Sequence, residues 1–222
     1  MSAKFFQKVV DQTDEARKEF ERHARVVEAC ADGMDRERYL AFLRELYVIV
    51  WHFNPVSAAA AARLPPKLRF VQAYLYEHMH EEEGHDEWVL CDVAAIGGDV
   101  EEVRGRLDYS ARATQAFVGF NGWLAERRPI GVLGMLYVLE VMASVYGEPL
   151  AEAQRERLFL QGDAGVSFLA SHASKDDEHM QDLRVVLDQI DDEAAQTEVV
   201  NSVRVNFKAL ARVVEAVYDD AA

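Results

Sequence analysis

Cysteine, proline, glycine and positive charge are all in short supply in this chain, and each shortage excludes something. Two cysteines in 222 residues, Cys30 and Cys91, lie far apart and form no metal or redox motif; they imply a reducing compartment and two buried thiols. Five prolines and twelve glycines suit a folded helical protein. Lysine and arginine number 24 against 39 acidic residues, a net charge of −15, which argues against nucleic acid and against an anionic membrane surface as partners. No apolar run approaches transmembrane length, and residues 1–6 lack the apolar core of a signal peptide, so the expectation is a soluble, cytoplasmic protein.

What is present is hydrophobic periodicity near 3.6 residues from end to end. It predicts helices over residues 3–31, 35–64, 67–96, 99–126, 129 to at least 146 (or to 157 past a kink at Gly147 and Pro149), 166–190 and 192–218. Gly33 stops the first, with Phe6, Val9, Thr13, Ala16, Phe20, His23 and Val27 as its inward stripe. Asp35 and Asp99 are expected as N-caps, Pro55 as a bend, and Gly97 with Gly98 as a stop. With neither strand-like alternation nor a flexible linker, the chain reads as all-α, a single bundle of seven helices forming one domain over residues 1–222.

Within the sixth helix, His172, Asp176 and His179 form an H-x-x-x-D-x-x-H run. At 100° per residue, Asp176 falls about 40° from His172 and His179 about 20° the other way, so the three share one face. Two imidazoles and a carboxylate on one face are half of a transition-metal site. On the third helix Glu82 and His85 stand one turn apart, a spacing that carboxylate-bridged metal sites in helical bundles use. His78, Glu82 and His85 repeat the spacing of the later triplet, although a histidine in so charged a stretch can equally be exposed. Glu81, Glu83, Asp86 and Glu87 read as a solvated face, as do Asp177 and Glu178.

Glu140 interrupts residues 131–146, a helix apolar nearly all round and therefore expected at the centre of the bundle. A carboxylate buried there needs a partner or a proton. An arginine or a narrow exposed strip would serve; a bound cation answers the need directly. The candidate set is then Glu82, His85, Glu140, His172, Asp176 and His179. Three carboxylates offset three of the four charges of two Fe²⁺ ions, and mixed N/O ligation with open positions suits dioxygen activation, whereas structural zinc prefers four ligands and thiolates.

On these residues, their order and the spacing of the terminal triplet, the chain resembles the haem-oxygenase-like diiron oxidase and oxygenase family. That group shares a seven-helix fold with haem oxygenase, the thiaminase TenA and the PQQ-synthesis enzyme PqqC. Residues 47–55 and 63–66 also look similar to the second helix of these proteins. The resemblance implies a non-haem, iron-dependent oxidoreductase in which two irons, the second weakly held, activate dioxygen as co-substrate through a peroxo intermediate. It implies oxidative C–C cleavage of amino-acid-like or fatty-acid-like molecules, or oxygenation of an amine nitrogen. Some N-oxygenating members add a carboxylate ligand, for which Glu81 and Glu45 are the nearest candidates. An external electron donor and a homodimer are compatible with this reading.

Other chemistries of the fold make their own demands. A TenA-like enzyme needs a nucleophilic cysteine, and Cys30 and Cys91 read as small core hydrophobes. A haem-degrading enzyme needs a proximal histidine; His23 is in the right helix but reads as a core or pocket-wall residue. A PqqC-like oxidase would leave Glu140 unexplained. The sequence leaves open a non-catalytic metal-binding protein. His52 reads equally as pocket lining or as a hydrogen-bonded core residue, Tyr76, Tyr137 and Tyr146 as core, and Arg184 as a guess for a substrate carboxylate.

Overall fold

The computed structural model describes residues 4–107 and 110–219, and within one helix the side chains of residues 172–178 lie outside that description. The helices are α1 (Phe5–Glu21), α2 (Ala24–Asp32), α3 (Arg36–Ala61), α4 (Arg69–Glu81), α5 (His85–Ala95), α6 (Val100–Arg104), α7 (Arg112–Arg127), α8 (Val132–Leu158), α9 (Ser167–Leu187) and α10 (Glu193–Asp219), with 3₁₀ turns at Pro66–Leu68 and Pro129–Gly131. Among the described residues there is no strand. Asp35 and Asp99 cap α3 and α6 as their side chains predict, and Gly33 ends α2 with φ +65°.

Among the described residues ten helices replace the seven expected, because three of the predicted segments are each split in two. The first breaks at Arg22–His23, where His23 is extended (ψ 124°). That break advances the buried stripe, so Val26 is buried and Val27 is 52% exposed, the reverse of the uninterrupted pattern. The third predicted segment breaks between Glu82 and Gly84, where Gly84 takes the left-handed conformation (φ 86°, ψ 2°). The fourth is a short α6 followed by α7. Hydrophobic periodicity runs through the breaks at His23 and Gly84 because a one-turn interruption between two amphipathic helices barely disturbs it.

Helix α8 occupies the centre, with residues 132–138 buried. It packs most extensively against α9 and then α10. The α10 contact depends on Gly134: a Cβ there would lie 2.6 Å from the Ser202 Oγ. The segment Pro129–Leu158 is long and apolar enough to cross a membrane, yet 67% of its most apolar window is buried inside the protein, as a core helix requires. The N-terminus of α9 is hooked to α5 by Asp92, whose carboxylate accepts from Ser167 N, Ser167 Oγ and Phe168 N at 2.8, 2.8 and 2.9 Å. Burial pushes the Asp92 carboxyl up, against the pull of those donors. Two helices bearing candidate ligands are thereby held in fixed relation.

Candidate metal centre

Four side chains from three helices converge beside α8. His78 and Glu82, one turn apart, come from α4 and its C-cap; Glu140 comes from α8 and His179 from α9. One nitrogen or oxygen from each lies within 4.8 Å of all the others. An ion with ligand bonds of about 2.1 Å sets its ligand atoms about 3 to 4.2 Å apart, so a small contraction closes the cluster. His78 Nε2 is 3.2 Å and His179 Nδ1 3.6 Å from the same Glu140 oxygen, and His179 Nδ1 is 3.7 Å from Glu82 Oε1.

The surroundings are dry. His78 is 2% exposed, between the rings of Tyr74 (5.4 Å) and Phe53 (5.5 Å). His78 Nε2 and His179 Nδ1 are buried and make no hydrogen bond among the described residues, although both face carboxylates. Buried imidazole nitrogens and carboxylate oxygens converging in this way form a donor set that suits iron, manganese or zinc. The electrostatics agree. Burial pushes the Glu140 carboxyl up, but His179 and His78 prevail and hold it below the usual range. Glu140 in turn lifts His179 to about 9 in spite of burial, with Glu82 and Glu81 adding to the effect. In the metal-free protein, a proton on His179 takes the place of the positive charge the site calls for.

Of the six residues the sequence nominated, Glu82, Glu140 and His179 come together here. His85 does not join them: it opens α5 across the helix break, and its Nδ1 meets Glu82 Oε2 at 2.7 Å. The side chains of His172 and Asp176 lie outside the described residues. The fourth member, His78, stands four residues before Glu82, the spacing that separates His172 from Asp176. Glu140 has the buried partners its helix demanded, and they are imidazoles rather than an arginine.

Glu82 and Glu140 also line a cavity of about 200 Å³ whose wall includes Phe20, Phe42, Ile49, Phe53, Leu139, Met142 and Phe168. The third carboxylate in the wall is Glu45 of α3, 6% exposed, with both oxygens near the Ala111 N–H at 3.1 and 3.2 Å. No lysine, arginine or histidine among the described residues lines this space. The sequence signal for Glu45 is a carboxylate in register with Ile49 on an apolar face.

Several other expectations are corrected. Cys91 is exposed, and Cys30 is half-buried in the cavity wall, where burial raises its thiol, the opposite of an activated nucleophile. His23 caps α2 outside the cavity wall, which removes the support for a haem ligand there. His52 Nδ1 is bonded to the Val48 carbonyl at 2.7 Å. Tyr76 is 54% exposed. The Arg184 guanidinium sits over the Phe6 ring at 5.6 Å, away from the cavity.

A family model described as iron-containing redox enzyme matches residues 40–211. Among solved structures the chain is similar to a domain of unknown function with a haem-oxygenase-like fold from Shewanella denitrificans OS217, at 23% identity and TM-score 0.81, over 96% of this chain and 90% of that one. It is similar to a TenA homologue from Pseudomonas syringae pv. tomato (12% identity, TM-score 0.80, 97% and 93% covered). It is also similar to haem oxygenase-1 from the cyanobacterium Synechocystis, solved with haem (14% identity, TM-score 0.77, 99% and 94% covered). These identities speak to the fold alone, and no functionally curated protein matches. The family match spans most of the chain and falls on a haem-oxygenase-like all-helical fold, so the chain belongs to the iron-containing redox enzyme family.

Proposed function

We propose that the protein is a non-haem, iron-dependent oxidase or oxygenase that uses dioxygen on a small substrate with an aliphatic body, fatty-acid-like in preference to amino-acid-like. The observation that carries this reading is a buried two-histidine, two-carboxylate cluster sharing Glu82 and Glu140 with an apolar cavity. Iron held by imidazoles and carboxylates, with positions left open, supplies the reducing electrons for dioxygen activation.

His78, Glu82, Glu140 and His179 would hold one ion. A second would draw on His85, His172 and Asp176 of the nominated set, with Glu45 as the additional carboxylate. Glu82 would serve both: one oxygen faces His179 and the other His85. The aromatic and aliphatic wall excludes water and takes an alkyl chain. Among the described residues that wall offers a substrate carboxylate no cationic side chain, so its counter-charge would be the metal. An amino acid would in addition need an acceptor for its ammonium group, which Glu45 alone could provide away from the cluster.

The test is anaerobic loading of metal-free protein with Fe(II), followed by dioxygen uptake and product analysis with saturated fatty acids and amino acids, with and without an external reductant. Substrate-dependent dioxygen consumption with one or two bound irons supports the reading. Stoichiometric iron with no dioxygen chemistry under any condition would make this a metal-binding protein instead.

A further inference from the structure

We propose that Glu81 is a positioning residue of this centre: a single carboxylate facing the outer nitrogens of both histidines, fixing which nitrogen each presents to the ion. The inference rests on the reading of the cluster as a metal centre. Glu81 Oε2 lies 3.8 Å from His78 Nδ1 and 3.5 Å from His179 Nε2. The opposite nitrogens, His78 Nε2 and His179 Nδ1, are both buried without a hydrogen bond among the described residues, and both face Glu140. The rings stand 4.8 Å apart at 72°, so each turns one nitrogen toward Glu140 and one toward Glu81.

A ligating imidazole carries its proton on the nitrogen that does not bind metal, and that N–H needs an acceptor. Glu81 sets one carboxylate oxygen 3.8 and 3.5 Å from the outer nitrogens of two rings from different helices, in position to accept from both as the ion draws the cluster in. It therefore assigns Nε2 as the ligand atom of His78 and Nδ1 as that of His179. Its own place is fixed by the chain: it is the last residue of α4, one turn after His78 and directly before Glu82. With a side chain 45% exposed it adds little to the core, so its effect falls on the ion and not on the fold.

The experiment uses Co(II), whose ligand-field bands report geometry and which avoids oxidation during chelator competition. Wild type, Glu81→Ala, Glu81→Gln and the control Glu83→Ala are compared. Glu83 is 78% exposed and carries the same charge two residues on. In Glu81→Ala, Co(II) affinity is expected to fall roughly 10–100-fold with displaced ligand-field bands, while the metal-free protein keeps its helical content and melts cooperatively with at most a small shift. Glu81→Gln, which keeps an acceptor without the charge, falls between, and Glu83→Ala behaves as wild type. Wild-type affinity and bands in Glu81→Ala would overturn the inference. So would an equal loss in Glu83→Ala, or a parallel drop in metal-free melting, which would make the role structural. Failure of the wild type itself to bind Co(II), Mn(II), Fe(II) or Zn(II) would overturn the metal reading and the inference together.

Discussion

Glu82 and His85, three residues apart in sequence, stand on opposite sides of a helix break: Glu82 closes α4, His85 opens α5, and their side chains meet at 2.7 Å. The turn between them depends on Gly84, at φ 86° with nothing within 4 Å of where a Cβ would stand. Sterics therefore do not oppose Gly84→Ala, but backbone conformation does. In a continuous helix that change would stabilise by roughly 0.5–1 kcal/mol. At a left-handed position it costs about 1–2 kcal/mol. A melting temperature lowered by several degrees is expected in the metal-free variant, and a raised one would restore the uninterrupted helix.

Glu140 is the partner shared by both histidines, and Glu140→Gln removes its charge at nearly constant volume. We expect loss of stoichiometric iron, by a factor large enough to see in metal analysis after desalting, with helical content preserved. The amide also leaves the two imidazoles without their main electrostatic partner. Retention of one iron per chain would remove Glu140 from the ligand set.

The pH dependence follows from His179. Its folded value of about 9 lies above the ordinary 6.5, so its protonated form is the one the fold favours. The stability it contributes to the metal-free protein is fully present below pH 6.5 and is lost as pH rises through about 9. An ion must displace the same proton, so apparent affinity should climb with pH by close to one proton's worth and level off above about 9. Melting curves and Mn(II) titrations across that range check both slopes, and both should flatten in Glu140→Gln.

The sequence was most legible where one physical demand dominated. A carboxylate in a helix apolar nearly all round was expected to be central and partnered, and Glu140 is both. Asp35, Asp99 and Gly33 marked helix ends through local chemistry that packing does not override. The breaks at Arg22–His23 and at Gly84 were not legible, because amphipathic periodicity survives a turn's interruption. For the same reason Glu82 and His85 read as neighbours on one helical face. His78 had the right spacing, yet its charged neighbourhood looked solvated; only the packing of Tyr74 and Phe53 around it shows that one face of that stretch is buried. Glu45 was nominated through the family resemblance, but its burial was not legible, since it depends on Ala111 at the start of α7 and on the cavity, which leave no mark near residue 45.

His78 and His85 are separable by stoichiometry. His78→Ala takes a ligand atom from the described cluster and leaves a gap between two aromatic rings, so the first equivalent of metal should be lost. His85→Ala removes the partner of Glu82 Oε2 and the ring stacked on Trp88. It should retain one equivalent, weakened roughly 10–100-fold if His85 acts by orienting Glu82. If His85 holds a second ion, that ion alone should disappear. Equal and complete metal loss in both variants would place the two histidines on the same ion.

The cavity wall offers a test of substrate class that leaves the metal ligands alone. Ala143 of α8 lines the cavity one turn beyond Leu139, and its small side chain faces open volume. In Ala143→Phe the new ring fills space that an alkyl chain would use. Because the site is a cavity, the overpacking cost is expected at or below the usual 1–3 kcal/mol. Iron content should match wild type, a short saturated fatty acid should bind as before, and a long one should bind at least about tenfold more weakly, since each buried methylene contributes about 0.8 kcal/mol. Equal weakening for both acids would mean that the ring disturbs the metal end of the cavity. Unchanged binding of both would mean that the substrate's apolar body lies elsewhere, and the fatty-acid preference would fall while the metal centre stood.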